Sequence, residues 1–162
     1  MKRIIMHWTA GTYTPNSVDK KAYHKLIDGD GNVHSGTFPI SANQAPLSKG
    51  GYSAHTLNCN TDSIGVALCA MAGAVEAPFK AGSYPITRKQ EEALVALVRS
   101  LAAQYNIPIT NKTILTHAEV QTNLGIAQKN KWDITYLPSL GKTTAKAVGD
   151  HLRAKISGAQ KA

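Results

Sequence analysis

Two short apolar runs in this sequence each end in a histidine, and an aspartate follows the second run. Both runs, Arg3–His7 and Thr113–His117, have the composition of buried strands. Ligands of α/β proteins collect beyond the carboxyl ends of such strands, so neighbouring strands would bring His7 and His117 together. Two imidazoles and the carboxylate of Asp133 would complete a zinc site that keeps one coordination position open.

Structural roles for these three residues remain open at this point. Their spacing matches no compact metal motif such as H-E-x-x-H. A histidine that follows a strand commonly satisfies a backbone carbonyl or faces solvent. An aspartate in a loop after a tryptophan, such as Asp133, is commonly a turn residue or a helix cap.

The composition indicates one globular domain. The chain has 162 residues, of which 43% are hydrophobic and 17% charged, and this balance excludes a disordered chain. No apolar stretch approaches the roughly 20 residues of a membrane span, and the first six residues become polar too soon for a signal peptide. We therefore expect the protein to be cytoplasmic on synthesis. Cys59 and Cys69 lack the spacing of a cysteine zinc site and are too few for a disulfide framework.

The charge balance favours a polyanionic partner. A net charge of +8 suits nucleic acid, an anionic membrane face or a bacterial envelope polymer. The sequence shows no helix-turn-helix, zinc-finger or RNA-binding motif, which argues against a protein that binds specific nucleic-acid sequences. Residues 141–162 predict a basic terminal helix in which Val148, Leu152 and Ile156 dock on the domain and the charges point outward. This helix is either a solvated face or a contact for an anionic envelope surface.

The remaining pattern supplies the elements that must position the histidines. The pattern of residues Thr87–Tyr105 predicts a helix with a Thr87-x-x-Gln90 capping box. The other predicted elements are a short helical turn through Lys20 that Ser17 would cap, hairpin strands at 22–27 and 32–35 with Tyr23 on the first, a loop or active-site rim at 36–52, and a central strand at 63–71.

Six segments, taken together and in order, resemble the zinc N-acetylmuramoyl-L-alanine amidases, the family that includes phage endolysins and animal peptidoglycan recognition proteins. The segments are Ile5-Met6-His7-Trp8-Thr9-Ala10-Gly11, Ala22-Tyr23-His24, Ser53-Ala54-His55, Asn60-Thr61-Asp62-Ser63-Ile64-Gly65-Val66, Thr116-His117-Ala118-Glu119-Val120 and Lys131-Trp132-Asp133. The resemblance runs from about residue 3 to residue 138. It implies an α/β fold, with a central mixed β-sheet flanked by helices on both faces in a single domain.

The resemblance also implies roles for individual residues. It makes His7, His117 and Asp133 the ligands of one Zn²⁺ ion per chain. Tyr23 and Lys131 correspond to the family's catalytic tyrosine and lysine. The substrate-groove positions that it implies are His55 and Asn60. Residues 1–140 would form the catalytic domain, and the basic segment 141–162 would pack on it or extend from it.

Two features depart from the family pattern. Ala67 stands where the cytoplasmic recycling branch has a glutamate, so the base proposed for that branch is absent. The interval from His7 to Tyr23 is also shorter than in many members, which puts the rim of the groove in doubt.

The function that the resemblance implies is hydrolysis of the amide bond between N-acetylmuramic acid and L-alanine in peptidoglycan. The favoured setting is a phage or prophage endolysin, a monomer that reaches the cell wall after the membrane is permeabilised and lyses the host. The alternatives are a non-catalytic peptidoglycan-binding module, a muropeptide-recycling amidase, a zinc peptidase that cuts within the stem peptide, and a regulatory nucleic-acid binder.

Overall fold

The secondary structure alternates between strands and helices along most of the chain. The computed structural model describes residues 1–158. Its strands are β1 (Arg3–Trp8), β2 (Lys25–Ile27), β3 (Val33–Ser35), β4 (Ser63–Leu68), β5 (Ile114–Thr116), β6 (Tyr136–Leu137) and β7 (Gly141–Lys142). Its α-helices are α1 (Ser17–Ala22), α2 (Arg88–Gln104), α3 (Val120–Leu124) and α4 (Ala145–Ser157), with 3-10 turns at Ile40–Asn43 and His117–Glu119.

Five strands form one mixed sheet in the order β3-β2-β4-β1-β5. Strands β2, β4, β1 and β5 run parallel, whereas β3 is antiparallel to β2. In the register of β1, His7 lies opposite Ala67 of β4, and Met6 lies opposite Thr116 of β5. Because parallel strands end at the same edge of a sheet, His7 and His117 lie at one edge, as the sequence predicted.

One face of the sheet, which we call the apolar face, carries the main core. Residues at every second position of β1 and β4 point to this side, including Ile4, Met6 and Val66, and all three are fully buried. The helices α2 and α4 pack there through Leu94 and Leu152. This face therefore supplies most of the buried apolar surface that stabilises the fold.

The opposite face, which we call the site face, has a much smaller apolar cluster. Ile5 and Leu115 pack against Val120 of α3 and against the Cys59 thiol. Helices thus lie on both faces, and the predicted α/β fold with a mixed sheet is confirmed. Only short helices and loops cover this second face, which leaves room for polar side chains at its edge.

The longest helix begins and ends where the sequence predicted. The Thr87 hydroxyl accepts a hydrogen bond from the Gln90 backbone, and the Gln90 side chain accepts one from the Thr87 N–H. This capping box satisfies two backbone donors that the first turn would otherwise leave unpaired. The helix stops at Gln104, and Asn106 follows with a left-handed φ of +54°.

Two details of the predicted N-terminal half are wrong. Tyr23 does not lie on a strand, because its backbone N–H donates to Asp19 and closes α1, and strand β2 starts only at Lys25. The cap of α1 is Asn16 rather than Ser17, since the Asn16 side chain accepts from the Asp19 N–H. The hairpin of β2 and β3 around residues 28–31 is confirmed.

The C-terminal helix packs on the domain through Val148, Leu152 and Ile156, as predicted. The expectation that its charges all point outward is wrong for Arg153, which is buried against Glu119. Lys161 and the rest of residues 159–162 lie outside the described residues. Within residues 1–158, no helix is long and apolar enough to cross a membrane.

Candidate metal centre and active-site groove

His7 is held rigidly because it belongs to a central strand. It alternates with Ile5 along β1, so its imidazole points to the site face. The residue is fully buried. The neighbouring β4 positions on this face are Gly65 and Ala67, whose small size leaves space for imidazole rings above the sheet.

His117 is positioned by the turn that follows β5. The Thr116 side chain and the Glu119 side chain each accept from a backbone N–H of the other residue, so the chain folds into a 3-10 turn directly after the strand. The Glu119 carboxylate is in turn held by the Arg153 guanidinium through two contacts of 2.9 and 2.8 Å. The C-terminal helix thereby fixes the segment that carries His117.

Asp133 comes from a loop that is fastened on both sides of it. The ring of Trp132 packs edge-on against that of Trp8, with 4.7 Å between ring centroids, and Ile134 is fully buried. The backbone carbonyl of Asp133 accepts a hydrogen bond from the Ala118 N–H. These contacts place the carboxylate beside both histidines.

The three side chains meet at one point with their ligand atoms facing each other. The Nδ1 atoms of His7 and His117 are 3.1 Å apart, and the Asp133 carboxylate lies 3.3 Å from His7 Nδ1 and 3.5 Å from His117 Nδ1. Tetrahedral zinc with bonds of about 2.0–2.1 Å separates its ligand atoms by roughly 3.3 Å. The residues therefore fit a zinc ion, although their assignment as metal ligands stays a prediction.

His55 offers a hydrogen-bond acceptor to the outer ring nitrogen of His7. His55 Nε2 lies 3.2 Å from the Ser63 carbonyl oxygen, which can only accept, so this nitrogen carries the proton. His55 Nδ1 is then an acceptor, and it lies 3.3 Å from His7 Nε2 and 2.8 Å from the Thr56 hydroxyl. His7 Nε2 can donate its proton to this acceptor, which would leave the lone pair of His7 Nδ1 for a metal ion held with His117 and Asp133.

The electrostatics favour neutral imidazoles beside an ionised carboxylate. Burial lowers the pKa of His7 to about 4, although the hydrogen bond to Asp133 opposes that shift. Burial also lowers the pKa of His55, and the nearby His7 adds to the effect. For Asp133, burial raises the pKa, but the contacts with the His117 and His7 rings outweigh it and hold the pKa below its usual range. Neutral imidazole and carboxylate are the forms that bind metal ions.

A groove of about 960 Å³ opens above this cluster. The loop at residues 52–61 forms one wall and the segment 128–133 forms the other, with Tyr23 and Trp8 between them. Apart from Asp133, the described residues that line the groove include no carboxylate, whereas Lys129 and Lys131 contribute two ammonium groups.

Both predicted catalytic side chains lie at this groove. The Tyr23 ring is 5.0 Å from the His7 ring, measured between centroids. Burial raises the pKa of the Tyr23 phenol, and the nearby Asp133 carboxylate raises it further. Lys131 is exposed at the rim, two residues before Asp133. The structure therefore brings Tyr23 and Lys131 to the metal cluster, while their catalytic roles stay predictions.

The two predicted substrate positions shape the loop beneath the groove. His55 packs so closely on β4 that a Cβ at Gly65 would lie 2.5 Å from its ring. The Asn60 side chain accepts hydrogen bonds from the backbone N–H groups of His55 and Thr56, at 3.0 and 2.9 Å. Both residues line the groove, and substrate contact by either of them stays a prediction.

Sequence reasoning missed two groups that support His117. Gln128 contacts the His117 ring from the groove side, and Arg153 holds the turn from the opposite side. Gln128 has no motif of its own, and its only signal was a position between the second histidine and the aspartate. The charge of Arg153 looked like one of several on a solvated helix.

Comparisons with known proteins show which family the chain belongs to. The model of the family described as N-acetylmuramoyl-L-alanine amidase matches residues 1–135. The chain therefore belongs to the N-acetylmuramoyl-L-alanine amidase family, and the resemblance found in the sequence is confirmed. A search of curated protein sequences finds no significant match.

Several solved structures share the fold at low sequence identity. The N-acetylmuramoyl-L-alanine amidase LysC from Clostridium intestinale is 18% identical with a TM-score of 0.56, over 96% of this chain and 85% of that one. The endolysin amidase LysCS from the same species is also 18% identical with a TM-score of 0.57, over 96% of this chain and 83% of that one. Bumblebee PGRP-SA is 15% identical with a TM-score of 0.50, over 91% and 80%.

Proposed function

We propose that this protein is a zinc-dependent N-acetylmuramoyl-L-alanine amidase, which hydrolyses the amide between the lactyl group of N-acetylmuramic acid and L-alanine. Family membership supports the reaction class. The observation that carries the proposal is the convergence of His7, His117 and Asp133, at spacings that suit zinc, on the floor of a groove. A zinc ion held there would supply Lewis acidity, lowering the pKa of water and polarising the amide carbonyl.

Tyr23 and Lys131 supply the polar groups that the reaction needs at the groove. Attack on an amide builds negative charge on the carbonyl oxygen, and donors placed beforehand lower that barrier. The Tyr23 hydroxyl is protonated at neutral pH, because its pKa is raised, and its ring lies beside that of His7. The Lys131 ammonium adds a positive charge at the rim. Both groups therefore serve to orient the carbonyl and hold its developing charge.

Ala67 lies opposite His7 in the sheet, so a methyl group occupies the position that carries glutamate in the recycling branch. Among the described residues lining the groove, Asp133 is the one carboxylate. Since Asp133 is committed to the metal cluster, we propose that the leaving amine takes its proton from Tyr23 or from solvent.

The substrate that we propose is peptidoglycan itself, in an endolysin setting. LysCS is an endolysin, and the ectodomain complex of PGRP-LCa and PGRP-LCx binds tracheal cytotoxin. The lysines at the rim suit the carboxylates of stem peptides. We further propose synthesis in the cytoplasm and access to the wall after the membrane is permeabilised, with monomers as the acting form.

Digestion of purified murein sacculi tests the reaction. The protein is incubated with and without a chelator, zinc is added back, and the products are identified by mass spectrometry. We expect free stem peptides with new L-alanine amino termini, which disappear on chelation and return with zinc. Cleavage inside the stem peptide would instead make the protein a zinc peptidase, and binding without cleavage would make it a recognition module.

Two substitutions test the roles of the groove residues. Tyr23→Phe and Lys131→Met should each reduce turnover by about 10²-fold while the zinc content stays at one ion per chain, because each removes one stabilising group and no ligand. Matched controls are Tyr105→Phe and Lys112→Met, which alter the same residue types away from the groove. Equal losses in the variants and their controls would contradict the assigned roles.

The setting is tested by substrate preference. An endolysin should digest intact sacculi faster than soluble anhydro-muropeptides. The opposite preference would identify a muropeptide-recycling enzyme and overturn the endolysin proposal.

A further inference from the structure

Gln128 bridges the His117 ring and the opposite wall of the groove. Its Oε1 lies 2.9 Å from His117 Nε2, and its Nε2 donates to the Leu57 carbonyl oxygen at 2.9 Å. The side chain therefore joins the segment that precedes Asp133 to the loop that carries His55. Nothing in the family resemblance or in the six recognised segments assigns a role to this residue.

The Leu57 carbonyl determines which way the Gln128 amide faces. A carbonyl oxygen can only accept, so the NH₂ end of the amide must point to Leu57. A flipped amide would set two oxygens 2.9 Å apart without a proton between them. The amide oxygen must therefore face His117.

The orientation of this amide in turn determines the protonation of the His117 ring. Because Gln128 Oε1 has no proton to give, His117 Nε2 carries the hydrogen and donates it. The lone pair of the neutral ring is then on Nδ1, which faces His7 Nδ1 and the Asp133 carboxylate. The other tautomer would place a proton between the three ligand atoms.

The backbone of Gln128 is held independently of its side chain. Its N–H donates to the Gln121 side-chain oxygen at 3.0 Å, from the helix α3 that follows the His117 turn. The residue is half-buried, so water competes only in part for its amide. This arrangement provides a natural control, because Gln121 orders the same loop without touching the His117 ring.

We propose that Gln128 is a positioning residue, which holds His117 in the tautomer that presents Nδ1 to the metal site and ties that ligand to the groove wall at Leu57. The part that concerns zinc rests on the proposed function. The part that concerns the His117 tautomer does not depend on zinc, because it is measured on the metal-free protein. Partners of this kind, which contact a ligand but not the metal, commonly change metal affinity by about 10–100-fold.

The test compares Gln128→Leu, Gln128→Glu and the control Gln121→Leu. Two-dimensional ¹H–¹⁵N correlation spectra of the metal-free proteins at pH 8 report the His117 tautomer through the ring nitrogen shifts. Competition with a chromophoric chelator gives the zinc affinity. Thermal melts confirm that each variant is folded, and the spectra are read only below the melting transition.

We expect wild type and Gln121→Leu to show His117 protonated on Nε2, because both retain the Gln128 amide oxygen that faces this nitrogen. Gln128→Glu also offers an oxygen to His117 Nε2 but cannot donate to the Leu57 carbonyl, so it tests the tautomer without the contact to the groove wall. Gln128→Leu should show a mixture of tautomers and bind zinc about 10–100-fold more weakly than wild type. Equal zinc loss in Gln121→Leu and Gln128→Leu would mean that Gln128 acts only by ordering the loop, and would overturn the inference.

The two proposals fail in different ways. If wild type binds zinc but does not cut murein, the proposed amidase function fails while the role of Gln128 still holds. If the tautomer and the zinc affinity are the same in wild type and Gln128→Leu, the inference fails whatever the enzyme does. If wild type binds no zinc, the spectra of the metal-free variants decide the inference alone.

Discussion

The two faces of the sheet are built from different chemistry, although they share the same strands. On the apolar face, Ile4 and Met6 pack under α2 and α4 in one cluster of buried apolar side chains. On the site face, His7 on the same strand lies within a network of hydrogen bonds that includes His55 and Ser63. Successive side chains of the six-residue strand β1 thus point alternately to the apolar core, which stabilises the fold, and to the site, which would carry the chemistry.

This division implies that substitutions on the two faces should have separable effects. A change on the apolar face should lower the free energy of unfolding and leave turnover per folded molecule intact. A change at the metal cluster should lower turnover and leave the free energy of unfolding nearly intact, because polar groups that are buried for function rarely add stability. The predictions below test this separation at sites where it should hold and at one site where it should break.

The largest effect on activity should come from Asp133→Ala. The substitution removes one of three ligand atoms, so we expect zinc binding to fall and turnover of murein to drop by about 10³-fold or more. The thermal midpoint of the metal-free protein should change little. Dye release from labelled sacculi and metal analysis measure the two quantities.

The control for this substitution is Asp30→Ala, since Asp30 is an exposed acid in the turn between β2 and β3. It should keep full activity. Retention of wild-type turnover and zinc by Asp133→Ala would rule out the assigned metal centre.

The largest effect on stability should come from Arg153→Met, and this substitution should lower turnover as well. Removing the guanidinium leaves the buried Glu119 carboxylate without its partner, and breaking such a pair costs about 3–5 kcal/mol. Because Glu119 also accepts from the Thr116 N–H, turnover should fall together with stability. Urea denaturation and murein digestion measure both effects.

Lys146→Met is the matched control on the same helix, because Lys146 forms an exposed ion pair with Asp150. Such pairs contribute about 0–1 kcal/mol, so both readouts should stay close to wild type. A loss of less than about 1 kcal/mol in Arg153→Met would show that α4 does not support the His117 turn.

Elements with a strong local signal were predictable from the sequence. The capping box and a stripe of apolar residues such as Leu94 and Val98, which are buried in the structure, predict the helix α2. His7 and His117 could be paired because each ends a short apolar run, and parallel strands end together. Asp133 was a candidate ligand from the sequence, and the family resemblance strengthened that prediction, since the neighbourhood of Asp133 in the sequence fits a turn equally well.

Contacts set by tertiary packing were beyond the sequence pattern. The sequence pattern predicts that Ala22 and Tyr23 belong to the strand that follows them. The N–H of Tyr23 instead donates to the Asp19 carbonyl and closes α1. Arg153 and Glu119 are 34 positions apart, and only the docking of α4 beside β5 brings them together. Gln128 owes its role to a carbonyl 71 positions away.

Leu94→Ala tests the apolar face alone. Leu94 is fully buried between α2 and the sheet, so truncation leaves a cavity and should destabilise the protein by about 2–5 kcal/mol. Turnover per folded molecule should be unchanged well below the melting transition. Leu140→Ala, at a leucine that is 40% exposed, should alter stability by no more than about 0.5 kcal/mol. A fall in turnover of folded Leu94→Ala would show that the two faces are coupled.

The smallest effect should be a pH dependence of stability that arises on the site face. The buried His24 ring accepts the Gly65 N–H at Nδ1 and lies 2.8 Å from the Asn43 side-chain oxygen, an arrangement that needs the neutral ring. Burial lowers the pKa of His24 below its ordinary value of 6.5. The folded state therefore binds this proton less readily than the unfolded state, and the stability contributed by the neutral ring is lost as the pH falls below about 6.5.

Thermal midpoints of the metal-free protein between pH 8 and pH 5 measure this effect without interference from metal binding. Wild type should lose stability as the pH falls, and His24→Gln, which has no proton to take up at this position, should lose less over the same interval. His7 and His55 also have lowered pKa values and remain in both proteins, so the difference between the two slopes isolates His24. Identical slopes would show that protonation of His24 does not oppose folding, because the Gly65 contact would then be replaceable by water.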